Sequence, residues 1–421
     1  ACLEICFFDF SADCYRKVQL AEKEREMKLT EETPFFFIYS VWTKNGEYRE
    51  QVKRLVTDYD NYISLKLAGD DAYLSEKMVG YPAELDEVYA ESFEEQKKEW
   101  FSCVGDGIQE CRNTWDHKKW NITDFTEFEL AITIDRPELY YDFLQKDWTR
   151  FCHDYWKNNF LEHHTLSKKR VTRIYIGNQF CHNLFPRKKL LFQVLEKALE
   201  NNLAVTLAFT YIRNHLLEEI DELLQELEVW CQSREKEAGK DQEEIIVNDW
   251  AMPILLQGKP HLKPVLGVLL NKRRKDVRLP YKHGIGNHVD SLAENNLNCG
   301  FYQDYLKNTF DIQRFEFESC GYKVTIPDGH HSLHLPFFQT NTSQYCTLYA
   351  VCRYGDRGKQ KLPENCPKYC EQKVFLYPKH LKMVGRYNSL FGYDEKILWD
   401  EKQLQDYLEQ GIDRIVVNVS L

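Results

Sequence analysis

Val171-Thr172-Arg173-Ile174-Tyr175-Ile176-Gly177 decides the fold. It is a short β-branched and aromatic run closed by a glycine, the signature of a strand. Lys188–Asn201 follows with Leu191, Val194, Leu195, Ala198 and Leu199 at helical spacing, and Leu203–Phe209 is a second run that is nearly all apolar. Leu216, Ile220, Leu223, Leu224 and Leu227 then mark a further helix whose stripe faces a core. Ile245–Val247 reads as a third strand closing on Asn248-Asp249, with Pro264–Leu270, Ile312–Glu318 and Ile412–Val419 as later ones. Fully apolar strands alternating with amphipathic helices predict a parallel sheet covered on both faces. No Gly-x-Gly-x-x-Gly and no Walker-type glycine loop occurs, which argues against a nucleotide-binding open sheet. The expected fold is α/β: a TIM-barrel-like domain, complete or incomplete, over residues 166–421, with the mass of one such barrel.

Residues 1–165 read as a separate N-terminal α+β domain of unknown role. Pro34–Trp42 is apolar and aromatic and predicts a buried strand, and Glu127–Asp135 (EFELAITID) predicts a second. Between them lies a polar stretch of helical character. Pro137 opens a helix to about Asn159, with Leu139, Phe143, Trp148, Phe151 and Trp156 near one stripe. The polar run from His163-His164 to Lys168-Lys169-Arg170 marks the expected domain boundary. Asn121-Ile122-Thr123 matches a glycosylation sequon, a triplet common by chance.

Composition narrows the function classes. With 43% hydrophobic and 29% charged residues the chain is an ordinary globular one. A net charge of −11 argues against a general nucleic-acid surface, since phosphate binding needs a positive field. Lys168-Lys169-Arg170, Arg187-Lys188-Lys189 and Lys272-Arg273-Arg274-Lys275 read as solvated helix ends and loops that leave an RNA substrate open beside a small molecule. No apolar run approaches a membrane span, and Ala1–Phe10 carries Glu4 and Asp9, a poor secretory signal. The expected address is the cytoplasm.

Fourteen cysteines in a reducing compartment point to metal or redox chemistry where they cluster and to small buried side chains where they scatter. Cys2, Cys6, Cys14, Cys103, Cys111, Cys152, Cys231, Cys299 and Cys320 are scattered. Cys346, Cys352, Cys366 and Cys370 form C-x5-C-x13-C-x3-C, a set of soft ligands suited to zinc or an iron–sulfur cluster. Zinc ribbons show two short-spaced pairs, whereas only Cys366 and Cys370 are close here, so a cubane cluster fits better.

Arg173-Ile174-Tyr175-Ile176-Gly177-Asn178-Gln179-Phe180-Cys181 resembles the opening strand and cysteine of the collagenase-like peptidase U32 family, in the branch of anaerobic ubiquinone-hydroxylation subunits. Val247-Asn248-Asp249-Trp250 resembles a later strand end of that family. His334-Leu335-Pro336 through Thr340-Asn341-Thr342 to Cys346, then Cys366-Pro367-Lys368-Tyr369-Cys370, resembles its late cysteine module. The resemblance covers residues 166–421 and implies a [4Fe–4S] cluster on Cys181, Cys346, Cys366 and Cys370. Cys352 has no counterpart and stands as a fifth candidate able to replace Cys346 or Cys181. The resemblance further implies an oxygen-independent hydroxylase, or a subunit of one working as a heterodimer with a related chain. A non-catalytic electron-transfer partner and a zinc-stabilised structural protein are the alternatives. Peptidase chemistry is disfavoured, because no Gly-x-Ser-x-Gly, His-Glu-x-x-His or Cys/His nucleophile motif occurs.

Barrel enzymes carry their chemistry where strands end. That directs attention to Asn178, Gln179, Asn248, Asp249, Glu316 and Glu318, with Asp249 and Glu316 as candidate catalytic carboxylates. Asp249 as a helix cap and Glu318 with Glu316 as solvent-facing edge residues are the plain alternatives. His330, His331 and His334 read as loop residues before a metal or proton-transfer set.

Overall fold

The computed structural model describes residues 2–9, 14–32, 37–53, 84–85, 93–102, 127–238, 243–273, 275, 277, 293–359, 361–363, 365–377 and 382–419. Cys103, Cys111, Arg274 and the Asn121-Ile122-Thr123 sequon lie outside these residues.

Eight parallel strands follow the chain: β1 Glu129–Ile134, β2 Arg173–Gly177, β3 Ala204–Ala208, β4 Glu243–Val247, β5 Leu262–Leu266, β6 Glu316–Glu318, β7 His331–Leu335 and β8 Ile412–Val417. Consecutive strands from β1 to β5 and from β6 to β8 pair in parallel, and β8 pairs with β1. The remaining seam is a single parallel bridge between Leu266 and Phe315, where the Leu266 N–H donates to the Arg314 carbonyl at 3.0 Å. The expected α/β barrel is therefore present, with one thin seam.

The barrel starts earlier than the expected division at 165/166. β1 lies between β8 and β2 and completes the ring, so Glu127–Asp135 is a barrel strand and not part of an N-terminal domain. Cys181 accordingly follows the second strand, not the first. The polar run at 163–170 is no linker. His164 is buried, accepts from the Leu166 N–H at 3.1 Å and bonds the Leu398 carbonyl at 2.7 Å.

Chain compactness gives two units, 1–82 with 278–290 and 83–277 with 291–421. In the first, Cys2–Asp9 pairs with Cys14–Ala21 and Arg25–Glu32 pairs with Phe37–Thr43, both antiparallel, and a short helix covers 46–53. The strand expected from Pro34 to Trp42 forms from Phe37, yet Tyr39 and Trp42 are about half exposed. Its aromatic content signalled β structure and not burial.

Local sequence explains the elements of the larger unit. The helix expected from Pro137 to Asn159 is two, Pro137–Gln145 and Trp148–Asn158, because Asp147 caps the second by accepting from the Arg150 N–H at 2.9 Å. Lys188–Glu200 buries Leu191, Val194, Leu195 and Ala198, and Leu217–Ala238 buries Leu224 and Leu227. These stripes cover outward residues such as Ile174, Ile176, Leu207 and Val247, all fully buried, which is why the strands read as apolar runs. Between β7 and β8 the chain inserts an antiparallel sheet of Phe337–Thr342, Phe375–Leu376, Met383–Arg386 and Ser389–Tyr393 with the helix Thr347–Tyr354. Glu84–Leu85 adds its edge strand, and Trp100 of the helix Phe93–Ser102 stacks on Tyr393 at 5.3 Å. This insert carries Cys346, Cys352, Cys366 and Cys370.

Candidate active site at the barrel mouth

Inward positions alternate along each strand. Small inward residues, Ala131 on β1 and Ala208 on β3, meet Tyr175, Ile246, Val265 and Val416 in the middle of the core. Below them the floor is ionic. Arg414 donates to Glu129 at 2.6 Å, to Glu244 at 2.6 and 3.0 Å and to the Tyr175 hydroxyl at 3.2 Å. Arg173 donates to the same two glutamates at 3.0 and 3.3 Å. Burial alone would raise Glu244, but Arg173, Arg414 and Arg314 hold it down at about 2.

Above the core, His334 of β7 meets Glu316 of β6 through Nε2 at 2.5 Å. The Tyr175 hydroxyl donates to both Glu316 oxygens at 3.1 and 3.3 Å. Glu316 has no exposed surface. Burial pushes its carboxyl up, and the hydrogen bond from His334 with the positive charge of Arg414 behind outweighs that, leaving it below the ordinary glutamate range. Tyr175 is pushed up by burial and stays a phenol.

A cavity opens over this group, bordered by Tyr175, Asn178, Gln179, Glu318, His334 and Asn418, with Phe180, Tyr387 and Phe391 as its aromatic side. It offers about 40 Å³ to the centres of water-sized molecules, room for about two or three waters before it widens to solvent. Gly177 ends β2 at φ +109°, and a Cβ there would lie 2.6 Å from the Ala208 carbonyl, so only glycine turns the chain here. The turn aims Asn178 at the next residues: its Oδ1 accepts from the Phe180 and Cys181 N–H groups, both at 2.9 Å.

The expected site residues separate into groups. Glu318 is buried and inward-facing, not an edge residue. It accepts from Lys275 and, at 2.7 Å, from the Gln339 N–H. Arg273 donates to the Glu318 carbonyl and, at 3.1 Å, to the Cys320 sulfur, so Arg273 and Lys275 are not the solvated loop residues their composition suggests, while Lys272 is exposed. Asp249 does not border the cavity. Its carboxylate accepts from the Ala251 and Met252 N–H groups at 3.0 and 3.1 Å and from Ile212 N–H, the geometry of a cap that also ties down the loop after β3. Asn248 is buried and bonds Gln179 and the Phe209 carbonyl. The histidines part ways: His330 is exposed and pairs with Asp413 at 2.9 Å, His331 stacks on Phe315, and only His334 reaches the cavity. Tyr175 was quoted in the sequence only as a strand residue. Its buried hydroxyl is invisible to hydropathy.

Cys181, Cys346, Cys366 and Cys370 act on one another electrostatically although 164 residues separate the first two. Cys181 feels Cys366, Cys346 feels Cys181 and Cys366, and Cys370 feels the other three. Cys352, on the helix Thr347–Tyr354, is not among the main charges acting on those thiols. Burial pushes Cys181 up to about 11 and Cys346 up to about 12, and raises Cys370 further. Cys346 caps its helix, its sulfur accepting from the Tyr349 N–H at 3.3 Å and donating to the Tyr387 carbonyl at 3.0 Å. Among the described residues no three His, Cys, Asp or Glu side chains are grouped as ligands of one metal ion. The sulfurs around a cubane sit on separate irons and stand farther apart than ligands sharing one ion.

No family model, curated protein or solved structure matches the chain.

Proposed function

We propose that the chain is an iron–sulfur protein of U32-like character whose barrel mouth performs an oxygen-independent oxidation, with hydroxylation of a small molecule or RNA base as the leading reaction. The observation that carries the reading is that Cys181, which follows the cavity-lining Gln179-Phe180 turn, shares its electrostatic surroundings with Cys346, Cys366 and Cys370 from a distant part of the chain. The donor set suits the group: four soft sulfurs, with backbone N–H groups directed at Cys181 and Cys346 that would stabilise thiolates. When bound, a [4Fe–4S] cluster supplies one-electron redox chemistry. The chain's own residues do the rest. Asn178 fixes the turn that presents Cys181, and Phe180, Tyr387 and Phe391 shield one side of the cavity. Gln179, whose Oε1 accepts from Asn248, presents its amide on the cavity wall to orient a ligand, and Asn418 is held there by both backbone groups of Phe337. Because burial holds Cys181, Cys346 and Cys370 protonated, metal uptake must release protons and should strengthen as pH rises.

The test is metal and sulfide analysis of protein purified or reconstituted without oxygen. About four iron and four sulfide per chain is the expected result. One zinc and no sulfide would overturn the proposal.

A further inference from the structure

We propose that His334 is the proton-accepting group of the mouth cavity and that Glu316 is its positioning residue, an assignment that rests on the reading of the mouth as an active site. Four observations converge. His334 borders the cavity, while Glu316 lies buried behind it. The bond between them uses His334 Nε2, and Nδ1 has no partner among the described residues. Tyr175 donates to both oxygens of Glu316 and packs edge-on against the imidazole at 5.5 Å, so both the carboxylate and the ring are held in place. Arg414 and Glu244 lie behind Tyr175, and the positive charge of Arg414 favours an ionised Glu316.

A carboxylate accepts and does not donate, so the hydrogen of neutral His334 sits on Nε2 and the lone pair on Nδ1. That lone pair is the feature a ligand O–H or N–H would meet. In the transfer step the ligand's O–H or N–H bond breaks and its electron pair stays on the ligand. The proton forms a bond to Nδ1, and the resulting imidazolium keeps its Nε2–H on Glu316, whose negative charge stabilises it. No oxidant or reductant enters this step. The other acids facing the cavity are Asp135 and Glu318. Glu318 accepts from Lys275 and the Gln339 N–H, and Asp135 is the second carboxylate on the cavity wall, so it is tested beside His334 as the rival base. The distribution of partners also separates the two candidate carboxylates: Asp249 serves backbone amides, and Glu316 serves a side chain that can move a proton.

The probe is 4-nitrophenol, whose phenol and phenolate forms have different absorption. It is titrated into full-length protein at a pH where the free compound is mostly protonated. Difference spectra are recorded for the wild type, His334→Gln, Glu316→Gln and Asp135→Asn, with folding checked by circular dichroism and iron measured in each preparation. The expected result is a phenolate band for the bound probe in the wild type and in Asp135→Asn. It should be lost in His334→Gln and reduced in Glu316→Gln. A neutral bound phenol in the wild type, no saturable binding, or a phenolate band that survives in His334→Gln and disappears in Asp135→Asn would each overturn the proposal. The iron content reads the cluster reading separately, so either can fail without the other.

Discussion

The floor and the mouth of the barrel interior are both polar, against the branched apolar packing usual in this architecture, yet they are built in opposite ways. At the floor Arg414 and Arg173 lie between Glu129 and Glu244, and Arg314 joins Glu244 to Asp413. Each of these charges meets an opposite charge. At the mouth, amides and a His–Glu pair surround a cavity, and the acceptor Nδ1 of His334 faces no protein donor among the described residues. Buried charges that saturate one another hold a shape, whereas a fixed acceptor beside open space has a ligand to meet. The difference sets a saturated ionic floor against the mouth proposed as the active site within a single ring of strands.

The floor should break hardest. Arg414→Met removes the cation from two carboxylates and the donor from Tyr175, leaving Glu244 and Glu129 short of positive charge. Breaking a buried pair in this way costs about 3–5 kcal/mol, to be read from urea midpoints at neutral pH. A loss below about 1 kcal/mol would mean that the floor network is not stabilising.

Acid should act on two buried groups in sequence, first His331, packed on Phe315 away from the cavity, and then Glu244 of the floor. Burial and the nearby Arg314 hold His331 down at about 4, below its ordinary 6.5. The unfolded chain therefore takes up a proton between those values that the folded chain refuses, and stability falls as pH drops from about 6.5 to 4. Glu244, held at about 2 against an ordinary 4.5, contributes stability that is present above pH 4.5 and lost between 4.5 and 2. His331→Phe keeps a ring against Phe315 and removes one titrating group. It should recover up to about 3 kcal/mol at pH 4 relative to pH 7 and leave the branch below pH 4 unchanged. An unaltered stability–pH profile would contradict the assignment.

The sequence showed its barrel wherever inward positions were apolar or small. Val171–Gly177 and Leu203–Phe209 read as strands because one face meets helices and the other a tight core. β7, His331–Leu335, escaped notice because Ser332 and His334 point into the interior, where hydropathy expects Val or Ile. β4 was cut short for the same reason: Glu243 and Glu244 begin it, and Glu244 belongs to the floor. β1 was read as a strand but assigned to the wrong domain, since closing a barrel depends on pairing with β8 at the far end of the chain. The cysteine set rested on a resemblance. Spacing alone could not have joined Cys181 to the late three.

Asp249 offers a smaller and sharper contrast with Glu316. As a cap it tolerates asparagine, so Asp249→Asn should leave stability and iron content close to wild type, while Asp249→Ala should cost about 0.5–2 kcal/mol. Thermal or urea unfolding of the two variants checks this. A folded, iron-loaded Asp249→Asn protein that has lost turnover on an identified substrate would return Asp249 to the catalytic group.

The central claim is that the exit of β2 and the insert between β7 and β8 build one cluster site. Iron bound per chain in Cys181→Ser and Cys352→Ser, prepared side by side without oxygen, tests it most directly. The account predicts that Cys181→Ser loses the chromophore and its bound iron and that Cys352→Ser retains both. Retention in Cys181→Ser together with loss in Cys352→Ser would contradict it.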